Sequence, residues 1–137
     1  MKNNGFTLVE LLVVIAIIGV IMAYAVPAYN RNVIIAKRSE AKSSLMELAS
    51  AQERNNAIYN QYATNLGGTV ASAADLGFDN AQFMSSVDYD YSVGAANGYT
   101  LTATAKGNTQ VNDNFGVDCT TMTLNSLGQK TPLDCWQ

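Results

Sequence analysis

Residues Gly5 to Glu10 read Gly-Phe-Thr-Leu-Val-Glu and open an apolar run that lasts to Ala28. Glu10 is the one acid in that run, and from Leu11 to Val26 no side chain carries a charge. A lone carboxylate in hydrocarbon costs several kcal/mol unless it finds a partner. The chemistry this pattern points to is ion pairing. The segment is expected to pack against copies of itself, with Glu10 meeting a positive group there.

The other reactive side chains are few. Histidine is absent, which removes the commonest general base, the commonest metal ligand and the usual pH switch. Cys119 and Cys135 are the only cysteines, too far apart for a CxxC redox or zinc motif. In an oxidising compartment the plain reading is a structural disulfide, worth roughly 3 kcal/mol in the chain-entropy model. The competing reading is two unrelated buried thiols. No Ser/His pairing, phosphate loop or metal-ligand cluster is present, so no catalytic residue, metal or cofactor is expected. Asn112-Asp113-Asn114 with Asp118 has a faint likeness to a calcium loop, but its spacing and missing glutamate favour a polar turn. Asp88 and Asp90 share one face of a strand and are expected to point to water. Beyond Arg54 stand two basic residues, Lys106 and Lys130, against seven aspartates, a balance of −5 that repels phosphate overall. Those two lysines are either a local DNA contact beside a sheet or ordinary solvated side chains.

The elements that must position these groups are legible in outline. A chain of 137 residues with net charge −3 suggests one domain plus the N-terminal segment. About 110 residues follow the apolar run, enough for a modest core. From Ala28 to about Tyr62 the pattern is helical. Ile34, Ala41, Leu45, Leu48, Gln52 and Tyr59 recur at three- and four-residue spacings, with Ile58 and Tyr62 flanking. Arg38, Lys42, Ser43, Glu47, Glu53 and Arg54 hold the opposite side. Asn65-Leu66-Gly67-Gly68 is expected to end the helix. A loop from Thr69 to Ser86, with a helical turn at Ala71 to Leu76, leads to the strands. Val87 to Val93 and Tyr99 to Lys106 alternate as two strands joined by Gly94 to Gly98. Met122, Leu124 and Leu127 mark a third, and Gln129 to Leu133 returns as a fourth after a turn at Gly128. Trp136 is expected to pack on the disulfide or the sheet edge.

The apolar run itself admits an ordinary membrane anchor, since about 20 apolar residues span a bilayer. It also admits a cleaved secretory signal, with Lys2 as the charged end and Ala23-Tyr24-Ala25 as the cleavage pattern. Glu10 and the nearby Pro27 speak against the second. Gly19 and Pro27 are the weak points of a helix here, either as a simple kink or as a place where helical structure can be lost.

Gly5-Phe6-Thr7-Leu8-Val9-Glu10-Leu11, followed by Gly19, Pro27 and Tyr29, resembles the N-terminal motif of type IV pilins, the subunits of bacterial surface filaments. Cys119 to Trp136 resembles, more loosely, the disulfide-closed end of small minor pilins. The resemblance implies a leader at residues 1–5, a transmembrane and filament-core helix at 6–28, and a periplasmic or extracellular globular domain at 29–137. It implies cleavage after Gly5 by a prepilin peptidase and methylation of the new terminus at Phe6. That cut leaves an amine one helical turn before Glu10, and in a staggered bundle the amine can pair with Glu10 of a neighbour. Such a pair sets register more than raw stability. In related filaments the stretch from Gly19 to Pro27 melts and lets the fibre extend.

The fold class implied is α+β: a long N-terminal helix packed on a small antiparallel sheet with a C-terminal disulfide loop. The function implied is that of a filament subunit; the short globular domain favours a minor pilin over a compact major one, and that choice stays open. It would cross the inner membrane once before assembly machinery extracts it with other pilin subunits into the surface pilus. Two alternatives stay open. One is a pilus-borne DNA receptor, since the stretch Thr123 to Trp136 resembles such minor pilins. The other is a type II secretion pseudopilin.

Topology carries a conflict. Lys2 precedes the apolar run, whereas Arg31, Lys37, Arg38 and Lys42 come after it, offset by Glu40. The positive-inside rule would put the globular domain in the cytoplasm, and a disulfide needs it outside. The disulfide and the resemblance together favour the outside.

Overall fold

The structure is a computed structural model that describes residues 6–67, 72–78, 88–94, 98–106 and 118–137. Gly5, the Asn112 to Asn114 turn and most of the Gly94 to Gly98 loop lie outside the described residues. The chain forms two compact units, Met1–Val33 and Ile34–Gln137.

A single α-helix, α1, covers Leu8–Tyr59 with Pro27 inside it. In the first unit its large apolar side chains meet nothing: Leu8, Val9, Leu11 to Ile15, Ile17, Ile18 and Val20 to Met22 are all exposed. An apolar face this continuous belongs in lipid or against other helices. Gly19 is not a packing requirement within one chain, because a Cβ there would meet no atom within 4 Å.

In the second unit, α1 buries Ala41, Leu45, Leu48, Ala51, Gln52 and Asn55. These recur at three and four residues and make one stripe. The expected stripe holds through Gln52, which is buried, and is corrected at its end: Ile58 is 73% and Tyr59 42% exposed, while the polar Asn55 goes inside. The helix also stops well before Gly67. Asn60 takes a left-handed conformation (φ 54°) and its N–H donates to Asn56 O at 2.8 Å. Asparagine tolerates that conformation better than most residues, so it caps as glycine would.

The loop after Asn60 is pinned to the helix. Gln52 Nε2 donates to Ala63 O and Ala63 N donates to Gln52 Oε1, both at 2.9 Å and both buried. Asn55 Nδ2 donates to Ser72 O at 2.7 Å. Residues 72–76 make no helical turn. Ser72 Oγ instead accepts from the N–H groups of Ala74 and Asp75, and Asn65 bridges Asp75.

Four antiparallel strands form one sheet in chain order: β1 Tyr89–Gly94, β2 Thr100–Ala105, β3 Thr121–Asn125 and β4 Lys130–Thr131. The register sets Tyr91 opposite Ala103 and Ala103 opposite Met122. The inward set is Tyr89, Tyr91, Leu101, Ala103, Met122 and Leu124, which joins the helix stripe in one core. Leu127 is not part of it. It sits at the β3–β4 turn, 81% exposed, held there by N–H donation to Asn125 Oδ1 at 3.1 Å. A short 3-10 turn, Leu133–Cys135, closes the chain against β3 through the Cys119–Cys135 disulfide.

Candidate functional site

The N-terminal candidates sit at the start of α1. Phe6 is 83% exposed. Thr7 and Glu10 hold one another. Thr7 N and Thr7 Oγ1 both donate to Glu10 Oε2, at 3.0 and 2.8 Å, and Glu10 N donates to Thr7 Oγ1 at 3.3 Å. This reciprocal arrangement is a capping box, in which the first turn's spare donors are satisfied by the residue three along. Glu10 therefore does not enter the apolar run without a partner. Its own helix start supplies two donors and the positive end of the dipole. Among the described residues Oε1 takes no hydrogen bond, which leaves it for a second donor. Thr7 is a functional residue that spacing alone would have found, since Thr-x-x-Glu before an apolar run is the sequence signature of this cap.

At the far end of the chain, Cys119 and Cys135 are buried and bonded, with 5.7 Å between their Cα atoms. Asp118 accepts from Thr120 N at 2.9 Å and Thr120 Oγ1 at 2.6 Å, which holds its carboxyl below the usual range and fixes the approach to Cys119. Pro132 O accepts from Cys135 N, so the second cysteine is held by a 3-10 turn. Trp136 packs against the core next to this bridge, as expected.

The charged candidates are redistributed by the fold. Asp88 does not point freely to water; it pairs with Lys37 of α1 at 2.5 Å, with about a fifth of its side chain exposed. Asp90 is outward and pairs with Lys106 at 2.6 Å. Lys130 lies over the Trp136 ring, 5.0 Å from its centroid. Lys106 and Lys130 are not brought together. Lys130 pairs with Leu124, and Leu124 with Leu101, so the two lysines lie five residues apart along the strand direction, about 17 Å. Lys130 instead approaches Lys42 of α1. Lys42 Nζ donates to the backbone oxygen of Gln137 at 3.0 Å. Partial burial, then the charges of Arg38 and Lys130, hold the Lys42 amine below its ordinary range. Neither Arg38 nor Lys42 stands out in the sequence, because 88 residues separate Lys42 from Lys130.

A third cluster is structural. Glu53 accepts from Tyr99 Oη at 3.2 Å and Tyr62 Oη at 3.5 Å, and the two rings meet edge-on at 5.0 Å. Burial, then Glu53, pushes the Tyr99 hydroxyl up to about 12. Among the described residues no group of three acids, cysteines or histidines is placed to hold a metal ion.

The family model described as type IV minor pilin ComP, DNA uptake sequence receptor, matches residues 27–123, most of the chain. This chain belongs to that family of type IV minor pilins. A second model, the prokaryotic N-terminal methylation motif, matches residues 1–26. The pilin is similar to the type IV major pilin protein PilA of Myxococcus xanthus, 39% identical over 69 residues, 48% of this chain and 31% of that relative. It is similar to the type IV major fimbrial protein FimA of Dichelobacter nodosus, 49% identical over 41 residues, 30% of this chain and 26% of that relative. The chain thus spans about a third or less of the length of these relatives. Among solved structures, a type IV pilin from Shewanella oneidensis matches with TM-score 0.53 and 20% identity, covering 76% of this chain and 98% of that one. That likeness concerns the fold: a long helix against a small antiparallel sheet. The methylation motif and the bare apolar helix are those of a pilin that crosses the inner membrane once and later stands in the extracellular pilus.

Proposed function

We propose that this pilin is a non-catalytic minor subunit of a type IV pilus, cut after Gly5, methylated at Phe6 and assembled through its apolar N-terminal helix. The observation that carries the reading is the run from Leu8 to Val26, bare on every side, with Glu10 alone at its head. The Phe6 amine of one subunit meets Glu10 Oε1 of the next, while Oε2 stays with Thr7. Leu8 to Val26 form the fibre core with other pilin subunits. Gly19 and Pro27 are where the helix loses structure on leaving the membrane. A prepilin peptidase and an inner-membrane assembly machine are the implied partners. The intact mass and N-terminal sequence of the protein from its native membrane test this. A chain beginning at Phe6 and heavier by one methyl group supports it. A chain beginning at Val26 is a secreted domain and refutes it.

A second reading, a DNA receptor carried on the pilus, is favoured by the extent of the minor-pilin family match over residues 27–123. That match reaches the globular domain, where the N-terminal motif that all pilins share has no part. Lys106, tied to Asp90, is a poor phosphate contact; Lys130 is a better one. Salt-sensitive retardation of a DNA duplex by the detergent-solubilised pilin tests it, and no binding at low ionic strength removes it.

A further inference from the structure

Pro27 takes one backbone hydrogen bond out of the interior of α1. From Ala28 to Asn32 every residue is exposed; Val33 and Ile34 are half-buried, and Ile35 and Ala36 are exposed again. The buried stripe of the helix begins only at Ala41. Adding or removing one residue of an exposed helix changes little, since its propagation constant is about 1–1.6 even for good helix formers. An opening begun at Pro27 therefore runs on until the next residue is tied to the sheet. Lys37 is tied in this way. It stands four residues before Ala41, in step with Ala41, Leu45, Leu48 and Gln52, so it occupies the next position of the buried stripe. Where that stripe calls for an apolar side chain, the sequence places an ammonium group. Lys37 Nζ donates to Asp88 Oδ1 at 2.5 Å, with about a quarter and a fifth of the two side chains exposed. The acceptor is itself held. Asp88 O accepts from Lys106 N at 2.7 Å, beside the Tyr89–Ala105 end of the β1–β2 pair. Removing one partner of a shielded pair strands a charge, which costs more than the loss of an exposed pair.

We propose that the Lys37–Asp88 pair is the stop at which unwinding of α1 from Pro27 ends. The stretch from Ala28 to Ala36 yields, while the helix from Lys37 onward stays on its sheet. The inference rests on the reading that α1 loses structure between Gly19 and Pro27, and it assigns the far limit of that loss to one ion pair. The limit lies just inside the second compact unit, which begins at Ile34. The pair keeps an extension of the N-terminal helix from drawing Ala41 and Leu45 out of the core, where both are fully buried.

Trypsin reports where the stop lies, because α1 carries Arg31, Lys37, Arg38, Lys42 and Arg54 in order. Cleavage needs local opening, and its rate follows the population of the open form when reclosing is fast. Full-length pilin in non-ionic detergent is digested briefly and its fragments are weighed by mass spectrometry. Wild type should be cut after Arg31, giving a domain that begins at Asn32, and should resist at Lys37, Arg38 and Arg54. Asp88→Asn leaves every trypsin site in place. It should be cut after Lys37 and Arg38 about tenfold faster than wild type, between the effect of an exposed pair and that of a buried one. Arg54, exposed on the packed part of α1, should stay uncut. Asp88→Glu keeps the charge and should keep the wild-type pattern. Equal rates at Lys37 and Arg38 in wild type and Asp88→Asn overturn the stop and leave the opening at Pro27 standing. Wild-type cutting at Lys37 as fast as at Arg31 does the same. Cutting at Arg54 as fast as at Arg38 in Asp88→Asn means that the whole domain opens, and overturns a local stop. A wild-type chain that resists trypsin at Arg31 and chymotrypsin at Tyr29 overturns the opening at Pro27, and the stop falls with it.

Discussion

Gln52 exposes the fold to a single change. Its side chain is fully buried on α1 and exchanges two 2.9 Å hydrogen bonds with the backbone of Ala63, which is itself buried. Gln52→Leu keeps the volume and removes both bonds. It strands a buried N–H and a buried C=O, each costing about 1–3 kcal/mol when left without a partner. The expected loss is about 3 kcal/mol, a large fraction of the roughly 5–15 kcal/mol that holds a typical domain. At about 1.5 kcal/mol per M in urea, the unfolding midpoint should fall by about 2 M. Trp136, the one tryptophan, packs against the core and reports the transition by fluorescence without interference from the apolar helix. Gln52→Glu sharpens the test. Protonated, its carboxyl can donate to Ala63 O and accept from Ala63 N, restoring both bonds. Ionised, it is a buried charge facing a carbonyl, so its folded pKa lies above the usual value of about 4.3. The variant should therefore match wild type below about pH 4 and lose stability as pH rises through the folded pKa. A midpoint shift under about 0.5 M for the leucine variant, or a glutamate variant indifferent to pH, would refute the clamp.

Thr7→Val should be processed normally yet enter sheared pili poorly, because Glu10 loses both Thr7 hydroxyl bonds; Thr7→Ser should restore entry, and a fully piliated valine strain would sink the cap's role. Cys135→Ser should lower stability by about 3 kcal/mol for the 16-residue separation, read as a urea-midpoint shift that a reductant reproduces in wild type. Burial pushes the hydroxyls of Tyr89 and Tyr99 up to about 12. Stability should therefore fall between about pH 10 and 12, where the unfolded tyrosines give up protons that the folded ones keep. In a near-ultraviolet titration, Tyr89 and Tyr99 should ionise later than the exposed tyrosines, and Tyr99→Phe should remove one late-ionising group.

Features written in local periods and short motifs were legible before any fold was known. The bare run from Leu8 to Val26 needs no partner to be recognised, because composition alone excludes it from water. Alternation placed Tyr89, Tyr91, Leu101, Ala103, Met122 and Leu124 on the inner face, since a strand turns every second side chain the same way. Two cysteines in a chain with no other reactive set left one bridge to make. The Thr7–Glu10 cap was equally local and could be read from spacing.

Features that depend on a partner distant in the chain came only with the fold. Helix α1 ends at Asn60, in its left-handed conformation, and not at the glycines, and Gln52 and Asn55 clamp the loop that follows. Gln52 falls on the stripe by its spacing alone, but the Ala63 backbone it clamps is separated from it by the chain reversal that only the fold shows. Asp88 meets Lys37 rather than water, so one of the basic residues behind the membrane segment is neutralised within the folded domain. Lys130 joins Lys42 rather than Lys106, because strand register sets the distance between residues and sequence separation does not. Charge attraction carries no period along the chain; only the closing of the sheet and the disulfide brings the carriers within reach.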